Sequence, residues 1–308
     1  MKIAGAAGAF PRHRYHQYVI TEALRAYWGE KLQRPELLTR LHSRAGVDYR
    51  YLAYSIPDYE RFDTWGKSSN AWMETAEQLG EKAIDGALER AGLTRRDLDA
   101  LFVVSITGVA SPSLDARLIN RMKLRPDIKR TPIFGLGCVG GAAGLTRAAD
   151  YVRAYPTQAA ALLAVEVCSL TLQRDDVSTQ NQISAGLFGD GAAAVIVVGA
   201  QRVSAGPVIL ATRSIFYPDS EEIMGWDISE KGFRVVLSPK LPELVQQRLG
   251  ADLDSFLAEF GLSRGDIGNW VIHTGGPKIL EAVEVALGLS HRDLKLSSDS
   301  LRRHGNIS

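Results

Sequence analysis

Three apolar runs constrain this chain more than any other feature: ALFVVSI from Ala100, AALLAVEVC from Ala160 and AAAVIVVGA from Ala192. A strand with no polar face, as ALFVVSI predicts over Leu98–Ile106, is covered on both sides, which parallel sheets in α/β layers require. Between the runs lie segments with helical spacing of apolar residues. Ser68–Leu93 carries Trp72, Ala76, Leu79, Ala83, Ile84, Ala87 and Leu88 and closes on Gly92, a residue suited to a left-handed cap. A shorter helix is expected over Leu114–Met122. The alternation of strand and helix predicts an α/β fold built in layers.

The rest of the chain repeats that order. Lys2–Phe10 predicts a short buried strand, followed by helices over Ile20–Trp28 and Pro35–Ser43. Val47–Tyr54 alternates aromatic and polar residues, as a strand or an extended loop would. Arg44 and Arg50 flank this stretch, either as solvated charges or as cations for a phosphate. From Pro207 the theme restarts with a strand near Val208–Ile215, a loop and strand through Gly232–Leu237 and a helix over Leu241–Phe260. A short strand, Trp270–His273, then runs into Gly275-Gly276-Pro277 and a helix over Lys278–Leu287, and a charged helix covers His291–His304. No residue-level repeat is visible. The repeated order of elements predicts two similar halves, residues 1–200 and 201–308, with no Pro/Ser-rich linker between them.

Composition removes several classes of function. At 308 residues the chain can bury a large core, and its formal net charge of +1 gives no reason to expect a polyanionic partner, so nucleic acid is not an expected ligand. Cys138 and Cys168 have neither metal-ligand spacing nor the pattern of a disulfide framework. No metal site is expected, and reduced thiols fit a cytosolic protein. The N-terminus lacks a signal-peptide pattern, and no stretch reaches the roughly 18 apolar residues of a membrane span. A soluble, cytoplasmic protein is expected.

Thr131–Pro156 reads as a buried strand, a glycine-rich turn and a long helix, with Cys138 at the junction. Gly140, Gly141 and Gly144 keep the start of that helix free of bulk, so that a substrate or another backbone can approach closely. A thiol at a helix N-terminus feels the positive end of the macrodipole, which favours the thiolate. The competing reading is a small thiol filling a core gap, and for a lone cysteine that is the commoner case. His273 before Gly275-Gly276 and Asn306 after Gly305 are likewise, taken singly, a core histidine and a turn residue. Asp190, between Gly189 and Gly191, reads as a turn former.

Taken together, GLGCVGGAAG, WVIHTGGPKIL and HGNIS resemble the active-site segments of type III polyketide synthases, the chalcone-synthase-like branch of the thiolase superfamily. The likeness also takes in GLFGDGAAAVIVVG and VEVCSLTLQ, and it runs in this order from about Ala45 to the end. It implies a thiolase-like αβαβα fold of two similar halves and a homodimeric acyltransferase with Cys138, His273 and Asn306 as catalytic residues. Acyl-CoA would be the starter and malonyl-CoA the extender, both substrates, with no cofactor. Phe188 and Phe233 match the family's gatekeeper phenylalanines, Cys168 and Thr171 fall where the family lines its cavity, and Arg44 and Arg50 are grouped with them as substrate-binding positions. An alkylpyrone or alkylresorcinol product is the expectation for a fatty acyl starter.

The chemistry of these residue types agrees with that implication. A cysteine thiolate both attacks a thioester and leaves well. Loss of carbon dioxide from malonyl-CoA places negative charge on the thioester oxygen, where donors from His273 and Asn306 would stabilise it. The rivals are a ketoacyl synthase III fed by acyl carrier protein, a cysteine acyl-CoA hydrolase, and a non-catalytic scaffold. The chain departs from the family at Thr274, where proline is usual. It also ends at Ser308, whereas family members continue for several tens of residues, so the second half is expected to be truncated.

Overall fold

The computed structural model describes residues 1–308. In chain order the strands are β1 (Lys2–Ala9), β2 (His13–His16), β3 (Tyr49–Leu52), β4 (Ala100–Val104), β5 (Lys129–Ile133), β6 (Ala159–Val167), β7 (Asp190–Val198), β8 (Met224–Ser229) and β9 (Gly232–Leu237). The helices are α1 (Gln17–Trp28), α2 (Pro35–Ser43), α3 (Trp65–Ala91), α4 (Leu114–Met122), α5 (Gly140–Ala154), α6 (Thr179–Leu187), α7 (Leu241–Ala258), α8 (Pro277–Leu287) and α9 (Lys295–His304). They fall into two compact units, and each takes segments from both sides of residue 200. The first comprises Met1–His13, Tyr51–Leu170 and Asp190–Thr212; the second comprises Arg14–Arg50, Thr171–Gly189 and Arg213–Ser308.

In the first unit the three apolar runs become β4, β6 and β7, the interior strands of a sheet ordered β1-β7-β6-β4-β5. β4 is parallel to β5 and β6, while β7 runs antiparallel to β6 and β1, so the sheet is mixed. Side chains of a strand alternate between faces, and both faces here are covered. Leu101, Val103, Leu163, Val165 and Ile196 share a core with Leu79, Ala83 and Ile84 of α3 and Leu118 of α4. Phe102, Val104, Ala160, Leu162 and Val197 share another with Ala148 and Val152 of α5. Burial of one such leucine or valine is worth about 1.5–3 kcal/mol. The Thr64 side chain caps the start of α3 through the Lys67 N–H, and Gly92 ends it in the left-handed conformation.

Two expectations need correction here. The strand before Cys138 is not buried: β5 is the sheet edge, with β4 on one side, and Lys129 to Pro132 are exposed. Pro132 fits an edge because it has no N–H to donate to a further strand. Val208–Ile215 forms no ladder strand; it keeps one bridge, Lys2 to Val208, with the bonds Ile3 N–H to Pro207 O at 2.9 Å and Ile209 N–H to Met1 O at 3.1 Å.

The second unit is built mainly of helices. Leu280, Val283 and Leu287 of α8 pack with Leu294, with Leu301 of α9, and with Val47 and Leu187, and α7 lays Val245, Leu249 and Leu253 against them. β8 and β9 form an antiparallel hairpin. Trp270–His273 forms no strand and joins no ladder, a further departure from expectation. An apolar, extended sequence becomes a strand only where a neighbouring backbone supplies hydrogen bonds. Around α1, α2 and α6 the core is polar: His42 is 2% exposed and lies 2.9 Å from Thr21 Oγ1 and 3.0 Å from the Gln182 carbonyl. Burial, and then the charge of Arg50, lower His42 to about 4, so the ring is neutral. A carbonyl can only accept, so Nε2 carries the proton, and the Thr21 hydroxyl is shared between unprotonated Nδ1 and the Gln17 carbonyl, each 2.9 Å away.

Candidate active site

In the first unit the chain leaves β5 through Gly135 and Gly137, both at positive φ (89° and 55°), and enters a 3₁₀ turn, Gly137–Val139, that continues directly into α5. Cys138 sits in this turn, partly exposed. α5 has no side-chain N-cap, so no side chain competes for its first N–H groups beside the thiol. A Cβ on Gly144 would lie 2.5 Å from Leu162 Cδ1, which is the close helix–sheet approach that a larger residue would prevent.

Beyond β6, Cys168 opens a second 3₁₀ turn, Cys168–Thr171. It is buried, and burial, reinforced by the charges of Glu166, Asp190 and Cys138, pushes its thiol well above the ordinary range. Such a thiol stays protonated and inert, as expected of a wall rather than a nucleophile. Thr171 closes the turn half-buried, its carbonyl accepting from Gln173 Nε2 at 3.2 Å. Asp190 proves to be a tether as well as the start of β7. Its carboxylate accepts the N–H groups of Ser169 (2.8 Å) and Ala53 (2.7 Å), fixing the Cys168 turn to the neighbouring strand.

Glu166 escaped the sequence reading. The only signal was a carboxylate inside an otherwise apolar strand. It is buried and accepts from Ser105 Oγ, Ile106 N, Thr107 N and Thr107 Oγ1, the last at 2.6 Å. Burial raises it to about 7 against the opposing pull of those donors. It therefore fixes the loop after β4 next to Cys168.

In the second unit Asn306 is fully buried. Its N–H donates to Leu187 O at 2.9 Å and its carbonyl accepts from Gly189 N at 2.9 Å, so Asn306 and Phe188 form a parallel bridge. Gly305 makes this possible with φ 75°: a Cβ there would stand 2.7 Å from Leu187 O. Asn306 Oδ1 accepts from Ser308 N at 2.7 Å, which settles the orientation of the amide. Its Nδ2 is left buried with no hydrogen-bond partner.

Phe188 and Phe233 are 8% and 3% exposed. Neither was linked to the other by sequence, but Trp226 of β8 joins them, its ring centroid 6.3 Å from Phe188 and 6.2 Å from Phe233. Gln173 Nε2 holds the Phe233 carbonyl at 3.0 Å. Arg44 is exposed at the C-terminal end of α2. Arg50 departs from the role of a phosphate cation: it is 3% exposed, and its guanidinium donates to the Phe188 carbonyl at 2.7 Å and to Gln17 Oε1 at 3.0 Å.

His273 ends the Trp270–His273 segment before α8. Ser297 Oγ of α9 accepts the Ile272 N–H at 2.9 Å, and Gly275 N donates to the His273 carbonyl at 2.9 Å, making a three-residue turn centred on Thr274. The side chain retains accessible surface, yet enough protein surrounds it for desolvation to lower its imidazole below the ordinary histidine range. Neutral imidazole there offers one N–H donor rather than a standing positive charge. Cys138 belongs to the first unit, and His273 and Asn306 to the second.

Comparison with known proteins places these features in a family. The family model described as "Chalcone and stilbene synthases, N-terminal domain" matches residues 64–202, and the corresponding C-terminal domain model matches residues 208–308. A 1,3,6,8-tetrahydroxynaphthalene synthase from Streptomyces peucetius subsp. caesius is 50% identical over 99% of this chain and 82% of its own length. A putative chalcone synthase from Bacillus subtilis is 41% identical over 97% of this chain and 85% of its own length. Among solved structures, the 1,3,6,8-tetrahydroxynaphthalene synthase of Streptomyces coelicolor, a bacterial type III polyketide synthase, superposes with a TM-score of 0.94 at 29% identity, covering 100% of this chain and 87% of that one. With both family models matched in order and a relative at half identity over 99% of this chain, this chain belongs to the chalcone and stilbene synthase family and is a type III polyketide synthase with the thiolase-like fold.

Proposed function

We infer that Cys138 carries the growing acyl chain and that His273 and Asn306 stabilise the enolate that extends it. Cys138 Sγ attacks the thioester carbonyl of the starter, and coenzyme A leaves as thiolate. Malonyl-CoA then loses carbon dioxide, and the electron pair of the broken C–C bond passes into the thioester as an enolate. Asn306 Nδ2 and a His273 N–H donate to the enolate oxygen. The enolate carbon attacks the acyl carbonyl, and Sγ departs as thiolate. The observation that carries this reading is Asn306 Nδ2, a buried donor without a partner on a residue whose other polar groups are all bonded. An orphaned buried donor costs about 1–3 kcal/mol, a cost offset when an oxyanion arrives.

No cofactor enters this scheme; acyl-CoA and malonyl-CoA are substrates. The product proposed is a polyhydroxylated aromatic, since the 50% identical relative is named for 1,3,6,8-tetrahydroxynaphthalene and a 33% identical one from Pseudomonas fluorescens for phloroglucinol. Phe188, Trp226 and Phe233 are read as the wall that limits chain length, and Cys168 and Thr171 as further cavity-lining positions. A homodimer is proposed, supported by the exposed edge strand β5 and by Phe134, Leu136 and Val139, exposed by 46%, 43% and 57% in the segment that follows it. No helix is long and apolar enough to cross a membrane. A cytoplasmic setting is proposed because the reaction needs Cys138 reduced, and neither cysteine forms a disulfide.

Incubation with malonyl-CoA alone, and with acyl-CoA starters of graded length, followed by mass spectrometry of products and of the intact protein, tests the reading. Carbon dioxide release, an aromatic product and an acyl adduct on Cys138 are expected, all lost in Cys138→Ala. Equal turnover by that variant, or thioester hydrolysis without carbon dioxide, would sink it.

A further inference from the structure

The second unit holds a buried polar pair, Gln17 and Arg50, that an oxyanion site does not by itself require. Gln17 is 5% exposed and Arg50 3%. Arg50 Nε donates to Gln17 Oε1 at 3.0 Å, which turns the other end of the Gln17 amide, Nε2, toward the Gly186 carbonyl at 2.7 Å. Arg50 Nη1 donates to the Phe188 carbonyl, also at 2.7 Å. The intervening groups of the same short stretch belong to Asn306: Leu187 O accepts its N–H and Gly189 N donates to its carbonyl, each at 2.9 Å. Four backbone groups from Gly186 to Gly189 are thus held in turn by Gln17, Asn306, Arg50 and Asn306 again.

The two sets of bonds are mechanically coupled. Gly186 and Phe188 lie at the end of α6, where carbonyls no longer have helical partners and drift unless something holds them. A charged donor in a low-dielectric setting forms a bond roughly twice as strong as a neutral one. The Arg50 stem also lies against Gly305, where a Cβ would stand 3.2 Å from its Cγ and Cδ, so the same side chain touches the residue just before Asn306.

We propose that Arg50, oriented by Gln17, is a positioning residue for Asn306: it locks the Gly186–Gly189 backbone on which the Asn306 bridge is built, and so aims Asn306 Nδ2. This rests on the reading of Asn306 as the enolate donor. Arg50 acts through the backbone and touches no substrate. A displacement of about 1 Å in a catalytic donor is enough to cost roughly 10²-fold in rate.

The test uses Arg50→Met, which keeps the stem and removes the donors, with Arg50→Lys as the conservative variant and Gln17→Leu as a milder lesion that frees the Gly186 carbonyl and Arg50 Nε but leaves Arg50 Nη1 on the Phe188 carbonyl. In Arg50→Met, malonyl-CoA decarboxylation should fall about 10–100-fold in kcat with KM within about twofold, while alkylation of Cys138 by iodoacetamide keeps its rate and pH profile. Arg50→Lys should recover part of the loss, since one charged donor remains. In an Asn306→Ala background Arg50→Met should add little, because the two act in series. Amide hydrogen exchange at Asn306 and Gly189 should accelerate by about tenfold in Arg50→Met and less in Gln17→Leu. Unchanged exchange, or a full additional loss in the double variant, overturns the proposal. If Arg50→Met does not fold, the same exchange and decarboxylation measurements on Gln17→Leu decide it. A wild-type protein that fails to decarboxylate malonyl-CoA while exchange still responds to Arg50 would reject the functional reading and leave the positioning intact.

Discussion

Asn306 pairs with Phe188 in a single parallel bridge whose two bonds, Asn306 N–H to Leu187 O and Gly189 N–H to Asn306 O, both measure 2.9 Å. One bridge joins the proposed oxyanion donor to the proposed gate. The proposed donor amide and the proposed gating ring therefore share one hydrogen-bonded stretch of backbone.

Replacing Asn306 by alanine removes the unpartnered Nδ2 donor and leaves the backbone bridge intact. Malonyl-CoA decarboxylation should fall by about 10²–10³-fold, with little change in denaturant midpoint because loss of the Oδ1 bond from Ser308 N is offset by removal of an orphaned buried donor. Loading of a starter on Cys138, read by intact mass, should persist. Wild-type decarboxylation in the variant would remove Asn306 from the chemistry.

Gly305→Ala attacks the same bridge through strain. The residue sits at φ 75° and its Cβ would meet Leu187 O at 2.7 Å. A loss of about 1–3 kcal/mol is expected, together with reduced decarboxylation because Asn306 must move. Urea unfolding and carbon dioxide release measured on one preparation check both halves.

Glu166 makes stability depend on pH in a defined direction. Burial raises the folded group to about 7 from the ordinary 4.5, so the native state binds more protons than the unfolded one between those limits. The stabilisation is fully present below about pH 4.5 and is lost as pH rises through 7, on the order of 3 kcal/mol in all. Glu166→Gln should flatten this fall in a series of urea midpoints from pH 5 to 8. A variant that tracks the wild type would exclude Glu166 as the source.

His42 acts with the opposite sign. Its folded value of about 4 lies below the ordinary 6.5, so stability is fully present above pH 6.5 and is lost as pH falls through 4. His42→Gln should retain a larger fraction of its pH 7 stability at pH 5 than the wild type does, as read by chemical denaturation. A steeper acid loss in the variant would contradict the buried, neutral ring.

The sequence by itself determined the elements whose signal is local. α3 with its Gly92 cap, α2 starting at Pro35, and strands β4, β6 and β7 follow from periodicity and cap chemistry, which act over a few residues. The family and its chemical segments were also legible, because a thiol before a glycine-rich helix and a Gly-Asn after a charged helix are contiguous patterns. What only the tertiary structure decided was everything that depends on a partner distant in the chain. β5 is an exposed edge because of its place in the sheet order, and Trp270–His273 is no strand because no backbone pairs with it. Arg50, read as a solvated charge or a phosphate-binding cation, is buried against a carbonyl 138 residues away, and Glu166 gathers its donors from a loop about 60 residues back. A charged residue carries the same signature in sequence whether water or protein solvates it. Only the folded chain supplies the donors and acceptors that distinguish the two.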